Sequence, residues 1–136
     1  MDSNISKIHC PEINLNSLEN PGLPTIIYRK NIDTFYLHLK TDCPATSCDL
    51  EGILWLRVDI HTGDIIGIQI DDFESVFLNK YPEVAKAWDE AKMFNNKKLI
   101  PGEHNPKSSF LLTIINLLKS LLTNHTPQSK AEIVPA

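Results

Sequence analysis

Residues 53–70 read Ile53-Leu-Trp-Leu-Arg-Val-Asp-Ile60, then His61-Thr-Gly63, then Asp64-Ile-Ile-Gly-Ile-Gln-Ile70. Two β-branched, aliphatic runs of strand length flank a short break that ends in glycine, the pattern of a β-hairpin. A type I turn closed by a residue in the left-handed region gives a three-residue hairpin loop, and Gly63 takes a positive φ at little cost. That loop predicts a register: Ile60 opposes Asp64, Val58 opposes Ile66, Leu56 opposes Ile68 and Leu54 opposes Ile70. Leu54, Leu56, Val58, Ile66, Ile68 and Ile70 then share one face, and a slip of one residue would scatter them. The opposite face carries Trp55, Arg57, Asp59, Gln69 and Asp71, with Gly67 across from Arg57.

Upstream, Thr25-Ile-Ile-Tyr-Arg29 is interrupted by Asn31-Ile-Asp33 before Thr34-Phe-Tyr-Leu-His-Leu-Lys40 resumes with strict alternation, a second hairpin. Its Phe35, Leu37 and Leu39 face the core, and Tyr36, His38 and Lys40 face the other side. Residues 41–52 read as a connecting loop, and residues 1–24, rich in Pro, Asn and Ser, as an extended N-terminal arm. The expected class is α+β: one domain over residues 25–123, with a four-stranded antiparallel β-meander in 25–73 and two to three helices packed on one face.

The helical part occupies residues 74–95 and 108–123. Asp71-Asp72-Phe73-Glu74 reads as a capping box, the Asp71 carboxylate accepting from the Glu74 amide, with a short helix through Lys80. Pro82 suits the first turn of the next helix, where Val84, Ala87, Trp88 and Ala91 form one stripe. Ser108 to Thr123 is apolar nearly all round, so it completes the core or forms a homodimer interface through Phe110, Ile114, Leu117 and Leu121. A membrane span needs about 20 predominantly apolar residues. This run is shorter and contains Asn116 and Lys119, so no membrane role is expected. Residues 124–136 read as a flexible tail.

At 136 residues the chain has the size of one domain, and 42 % hydrophobic with 22 % charged residues is ordinary globular usage. A formal charge of −4 with no Lys/Arg stripe speaks against nucleic acid, whose phosphates need a clustered basic surface. Met1 to Cys10 has neither the basic start nor the apolar run of a secretory signal, and three cysteines are an odd number. Both observations predict reduced thiols in a soluble, cytoplasmic protein.

Asp33-Thr-Phe-Tyr-Leu-His-Leu39 followed by Val58-Asp-Ile-His-Thr-Gly-Asp-Ile-Ile-Gly-Ile-Gln-Ile70 resembles the bacterial domain of unknown function 2283, over roughly residues 25–73. Members read D-x-L-Y-I-x-L and then V-x-D-x-D-x-x-G-x-I-V-G-I-E-I. The resemblance implies a small β-meander followed by a helix and carries no established activity or catalytic residue. It implies a binding role, antitoxin-like toward small toxin-like proteins. This chain departs from the pattern in its Cys-containing loop and in some 60 residues added after the meander.

Candidate chemistry is sparse. Cys43 and Cys48, with His38 and His61 near in sequence, could supply zinc ligands, but the four-residue gap between the cysteines pairs with no second ligand motif. Cys10 beside His9 lacks an orienting group, and adjacent residues of an extended arm point apart. Asp59, Asp64, Asp71 and Asp72 read better as turn and cap residues than as an acid/base cluster. There is no phosphate loop, nucleophile elbow or H-E-x-x-H, and no cofactor is called for. The best constellation is Tyr36, His38, Trp55, Arg57 and Gln69, because aromatic residues and Arg anchor interfaces. The expectation is therefore a non-enzymatic protein-interaction module, self-associating or antitoxin-like, with a His/Cys metal-dependent enzyme as the second reading.

Overall fold

The computed structural model describes residues 10–19, 24–40, 43–93 and 105–129. Six antiparallel strands form one sheet: β1 Thr25–Arg29, β2 Thr34–His38, β3 Ala45–Leu50, β4 Leu54–Asp59, β5 Ile65–Ile70 and the two-residue β6 Gln128–Ser129. Their order across the sheet is β1-β2-β5-β4-β3-β6. The fold is α+β and the sheet antiparallel, as expected, but the four-stranded meander is corrected. Strands β3, β4 and β5 are the meander, and β2 lies beside β5, which is Greek-key order.

The strand missed in sequence is β3, read above as loop. Its Thr46, Cys48 and Leu50 are buried and alternate with half-buried Ala45, Ser47 and Asp49, a period of two written in small and polar residues. Glu51 (φ 53°) and Gly52 (φ 69°) turn the chain into β4, and the Ile53 N–H donates to the Leu50 carbonyl at 2.9 Å. Positive φ at both central residues gives the turn a twist that matches the strands it joins.

The β4–β5 hairpin keeps two features of the predicted register and loses a third. Leu56 opposes Ile68 and Arg57 opposes Gly67, and Gly63 has φ 78°. Between Arg57 and Val58 the ladder then shifts, so Val58 opposes Ile65 and not Ile66. A β-bulge of this kind inserts one unpaired residue and turns its side chain. Ile65 takes the core place expected for Ile66, whose carbonyl accepts from the N–H groups of Leu39 at 2.9 Å and Lys40 at 3.2 Å.

Three helices and a π-helical turn follow. The turn, Phe73–Phe77, runs into α1 Leu78–Lys80, and α2 Pro82–Met93 comes next, with Val84, Trp88 and Ala91 buried as the stripe predicts. The last, α3, is Pro106–Asn124, opened by the Asn105 side chain accepting from the Lys107 N–H at 3.0 Å. Residues 94 and 95, assigned above to the helical region, lie outside the described residues. The apolar wrap of α3 is explained by its own chain: Phe110 (0 % exposed), Ile114 (2 %) and Leu121 (8 %) are buried in the core, and Leu117 packs half-buried against it. These residues complete the core, the first of the two alternatives stated above for this helix. Phe35 stacks on Phe73 at 4.7 Å, and Trp88 and Phe110 meet Phe35 edge-on, so aromatic packing links β2, the π-turn, α2 and α3.

The start of the π-turn is held by a residue that sequence reading passed over. Asp33, in the β1–β2 turn, accepts from the Glu74 N–H (2.8 Å), the Ser75 N–H (3.0 Å), the Ser75 hydroxyl (2.7 Å) and the Tyr28 hydroxyl (2.6 Å). Asp71, the expected cap, instead accepts from the Gln69 side-chain amide at 3.1 Å, and Asp72 makes no side-chain cap.

Residues 10–19 of the expected arm dock on the fold. Cys10 is disulfide-bonded to Cys48 with Cα atoms 5.7 Å apart, Leu15–Leu18 forms a 3-10 turn, and Leu18 is 1 % exposed. The bonded pair overturns the reading of all three cysteines as reduced thiols, and with it part of the argument for the cytoplasm. Asn14 donates its N–H to the Gly63 carbonyl at 2.8 Å, and a Cβ on Gly63 would collide with the Glu12 carbonyl oxygen. Gly63→Ala is therefore expected to lose about 2 kcal/mol or more, from the strained φ and the displaced arm together. A urea titration checks this, and an unchanged midpoint would show that the arm docks without the turn. At the other end, Asn124 closes α3 and Gln128–Ser129 pairs with β3, so only residues 130–136 of the expected tail lie outside the described residues.

Candidate functional site

The sheet has two unlike faces. Phe35, Leu37, Leu56 and Ile68 point into the core cluster, which also takes side chains from α2, α3, the π-turn and the N-terminal segment. Among the described residues, everything outside the sheet that contributes to that core packs on this one side. The opposite face is left uncovered by them.

Cross-strand pairing places all five predicted surface residues on that open face. Ile27 pairs with Tyr36, Tyr36 with Gln69, Gln69 with Trp55, Trp55 with Asp49 and Asp49 with Gln128, one continuous row across the sheet. The next row runs from Thr25 through His38, Gly67 and Arg57 to Ser47. Side chains directly opposite on antiparallel strands lie roughly 5 Å apart at Cβ, so each row is a contiguous surface. Tyr36, Trp55 and Gln69 are half-buried, while His38 and Arg57 are exposed.

Gly67 stands between His38 and Arg57 and offers no side chain, and a cavity of about 350 Å³ opens there, lined by Tyr36, His38, Cys43, Arg57, Ile66 and Gln69 among others. A larger one of about 540 Å³ lies at the Trp55 end, where Asp49, Asp71, Asp72, Val76 and Lys80 contribute to its lining. Lys40 and Arg57 line the cavity toward the β4–β5 turn, where Lys40 also pairs with Asp64 at 3.8 Å, and Asp49, Asp71 and Asp72 line the opposite one together with Lys80. Arg57 is held by its Nη1–H donating to the Ser47 hydroxyl at 3.2 Å, which fixes the guanidinium over β3.

Ser47 and Asp49 belong to this surface and were not named from sequence. Both were lost with β3, although the alternation of Thr46, Cys48 and Leu50 before Glu51-Gly52 is a readable signal.

The metal alternative does not assemble. Cys48 is bonded to Cys10 and is 0 % exposed on the core side, whereas His38 is on the open face and His61 is in the exposed turn. Cys43 borders the smaller cavity with His38. Among the described residues no group of three or more His, Cys, Asp or Glu could hold a metal ion. The aspartates have structural work: Asp59 accepts from the His61 N–H at 2.8 Å and the Thr62 N–H at 3.4 Å, bonds that hold its carboxyl below the usual range, and Asp64 accepts from the Asn14 amide at 2.8 Å. No helix among the described residues is long and apolar enough to cross a membrane. No family model matches the chain, and searches of curated proteins and of solved structures found no match either.

Proposed function

We propose that this chain is a protein-interaction module that engages its partner through the uncovered face of its sheet. The observation that carries the reading is the Tyr36–Gln69–Trp55 row on the side that the described helices leave open, with Arg57, His38 and a cavity beside it and a second cavity at the Trp55 end that the π-turn and α1 help to wall. Aromatic side chains and Arg contribute most of the binding energy at interfaces when they are ringed by polar groups that exclude water. Charge orients a bound segment, with acidic groups at Arg57 and basic groups at Asp49 and Asp71. The resemblance of residues 25–73 to the bacterial domain of unknown function 2283 supports the same class of role, with an antitoxin-like role toward a small toxin-like partner as its most specific form.

The test is capture by the tagged intact chain, run beside a Trp55→Ala, Arg57→Ala variant. Both positions lie off the core side, so the variant is expected to keep the melting temperature of the parent while losing at least about tenfold in affinity for a stoichiometric partner. A partner retained equally by both proteins sinks this surface. Self-association through the same face gives a different result, a mass in solution that falls to one chain in the variant.

A further inference from the structure

We infer that a trough between β1 and α2, on the helix-covered side of the sheet and remote from the open face, is a binding site for a small aromatic carboxylate. Its origin is a mismatch in layer width. Leu37 and Phe35 on β2 are 1 % and 0 % exposed, yet their partners on the edge strand, Ile26 and Tyr28, are only half-buried. The helices cover β2 fully and stop short over β1.

The space left is a cavity of about 400 Å³, walled by Ile26, Tyr28, Trp88 and Ala91 and bordered by Lys30, Lys92, Lys107 and Glu74. That volume lies in the range of small-molecule pockets, roughly 300–1,000 Å³, which are mostly apolar with a few polar groups that fix orientation. Tyr28 and Trp88 meet edge to face, 5.5 Å apart at 74°. Their polar tips are already engaged: the Tyr28 hydroxyl donates to Asp33, and the Trp88 Nε1–H donates to Glu74 at 2.8 Å. Trp88 is 6 % exposed and packed on Phe35, Phe73 and Phe110, so the aromatic surface offered to a ligand is chiefly that of half-buried Tyr28.

The charges choose the ligand class. Three ammonium groups border the cavity against one carboxylate, and that carboxylate is matched by Lys92 at 3.3 Å. Lys30 and Lys107 make no ion pair among the described residues, so the uncompensated charge at the rim is positive. A flat apolar body can lie against the wall made by Ile26, Tyr28, Trp88 and Ala91 while a carboxylate meets Lys30 and Lys107. A cationic molecule would be repelled, and a neutral one would lack the anchor.

Calorimetric titration of the intact chain with naphthalene-2-carboxylate tests this, with naphthalene-2-methanol as the neutral isostere. Saturable one-to-one binding is expected, at least about tenfold weaker for the alcohol and at least about tenfold weaker in a Lys30→Glu, Lys107→Glu variant whose melting temperature matches the parent. The Trp55→Ala, Arg57→Ala protein should bind the carboxylate as the parent does, which separates this site from the open face. Absence of saturable binding up to about 1 mM, equal affinity for acid and alcohol, or binding untouched by the charge reversals would each overturn the assignment.

Discussion

Asp33→Ala is expected to destabilise the protein by about 3 kcal/mol, a large effect for one half-exposed side chain outside the core. The carboxylate accepts four hydrogen bonds, two of them from the backbone N–H groups that open the π-turn, and it lies 41 and 42 residues away from them in sequence. Truncation leaves the Glu74 and Ser75 amides and the Tyr28 hydroxyl without that acceptor at once, and bonds to a charged group are worth more than neutral ones. The Asp33 backbone reinforces the joint, its carbonyl accepting from the Phe73 N–H at 2.9 Å. Urea denaturation of Asp33→Ala beside Asp71→Ala checks the assignment. The second change should stay within about 1 kcal/mol of the parent, since the exposed Asp71 carboxylate accepts only from the Gln69 side-chain amide at 3.1 Å and the Thr34 hydroxyl at 3.5 Å. The opposite ranking would return the cap to Asp71.

The same joint has a pH signature. Burial alone would raise the Asp33 carboxyl, but the Tyr28 hydroxyl and the Glu74 and Ser75 groups outweigh it and bring it from 3.8 down to about 2. A carboxylate depressed in the folded state contributes stability that is complete above its ordinary value and is lost as pH falls through the folded one. Stability of the parent should therefore fall between pH 3.8 and about 2, and Asp33→Ala should fall less steeply across that window. Glu74 is also held low, chiefly by the Trp88 N–H, so some slope remains in the variant. Tyr28 is shifted the other way, raised above 10.0 by burial first and then by its bond to Asp33. Its contribution is present below that value and lost on the alkaline side.

How much of this was legible depended on whether the signal was local. The hairpin at residues 53–70 was readable because aliphatic alternation and a glycine turn coincide; Trp55, Arg57 and Gln69 followed from that alternation, and Tyr36 and His38 from that of β2. The strand β3 was hidden by composition, since Thr46 and Cys48 point inward where a Val or Ile would have announced a strand. The bulge at Val58 is a choice between two registers whose aliphatics, Ile65 and Ile66, are chemically identical. The Asp33 cap was illegible for a different reason: a box read from four adjacent residues cannot show that a carboxylate from another hairpin reaches the amides first. The burial of α3 rests on long-range packing, Phe110 meeting Phe35 of β2 and Trp88 of α2, which an apolar wrap read along one helix does not specify.

Cys10→Ala is expected to cost about 4 kcal/mol in a non-reducing buffer, and the parent should lose a similar amount when a thiol reductant is added. The bond joins positions 38 residues apart, and a crosslink over a loop of that length removes much of the freedom of the unfolded chain. In the native state it anchors the segment that supplies Leu18 to the core and Asn14 to the Gly63 turn, so hydrogen exchange should rise first at residues 10–19 and at the turn. Thiol titration of the unfolded, unreduced protein gives the chemical check. One reactive thiol per chain, from Cys43, and three after reduction is the expected count. Three from the start would mean that Cys10 and Cys48 meet only as packed thiols. The stability of Cys10→Ala would then be insensitive to reductant, and the odd cysteine count would again favour a reducing compartment. A single thiol carries the opposite consequence: the arm is stapled to the sheet, and the protein does its work where disulfides persist.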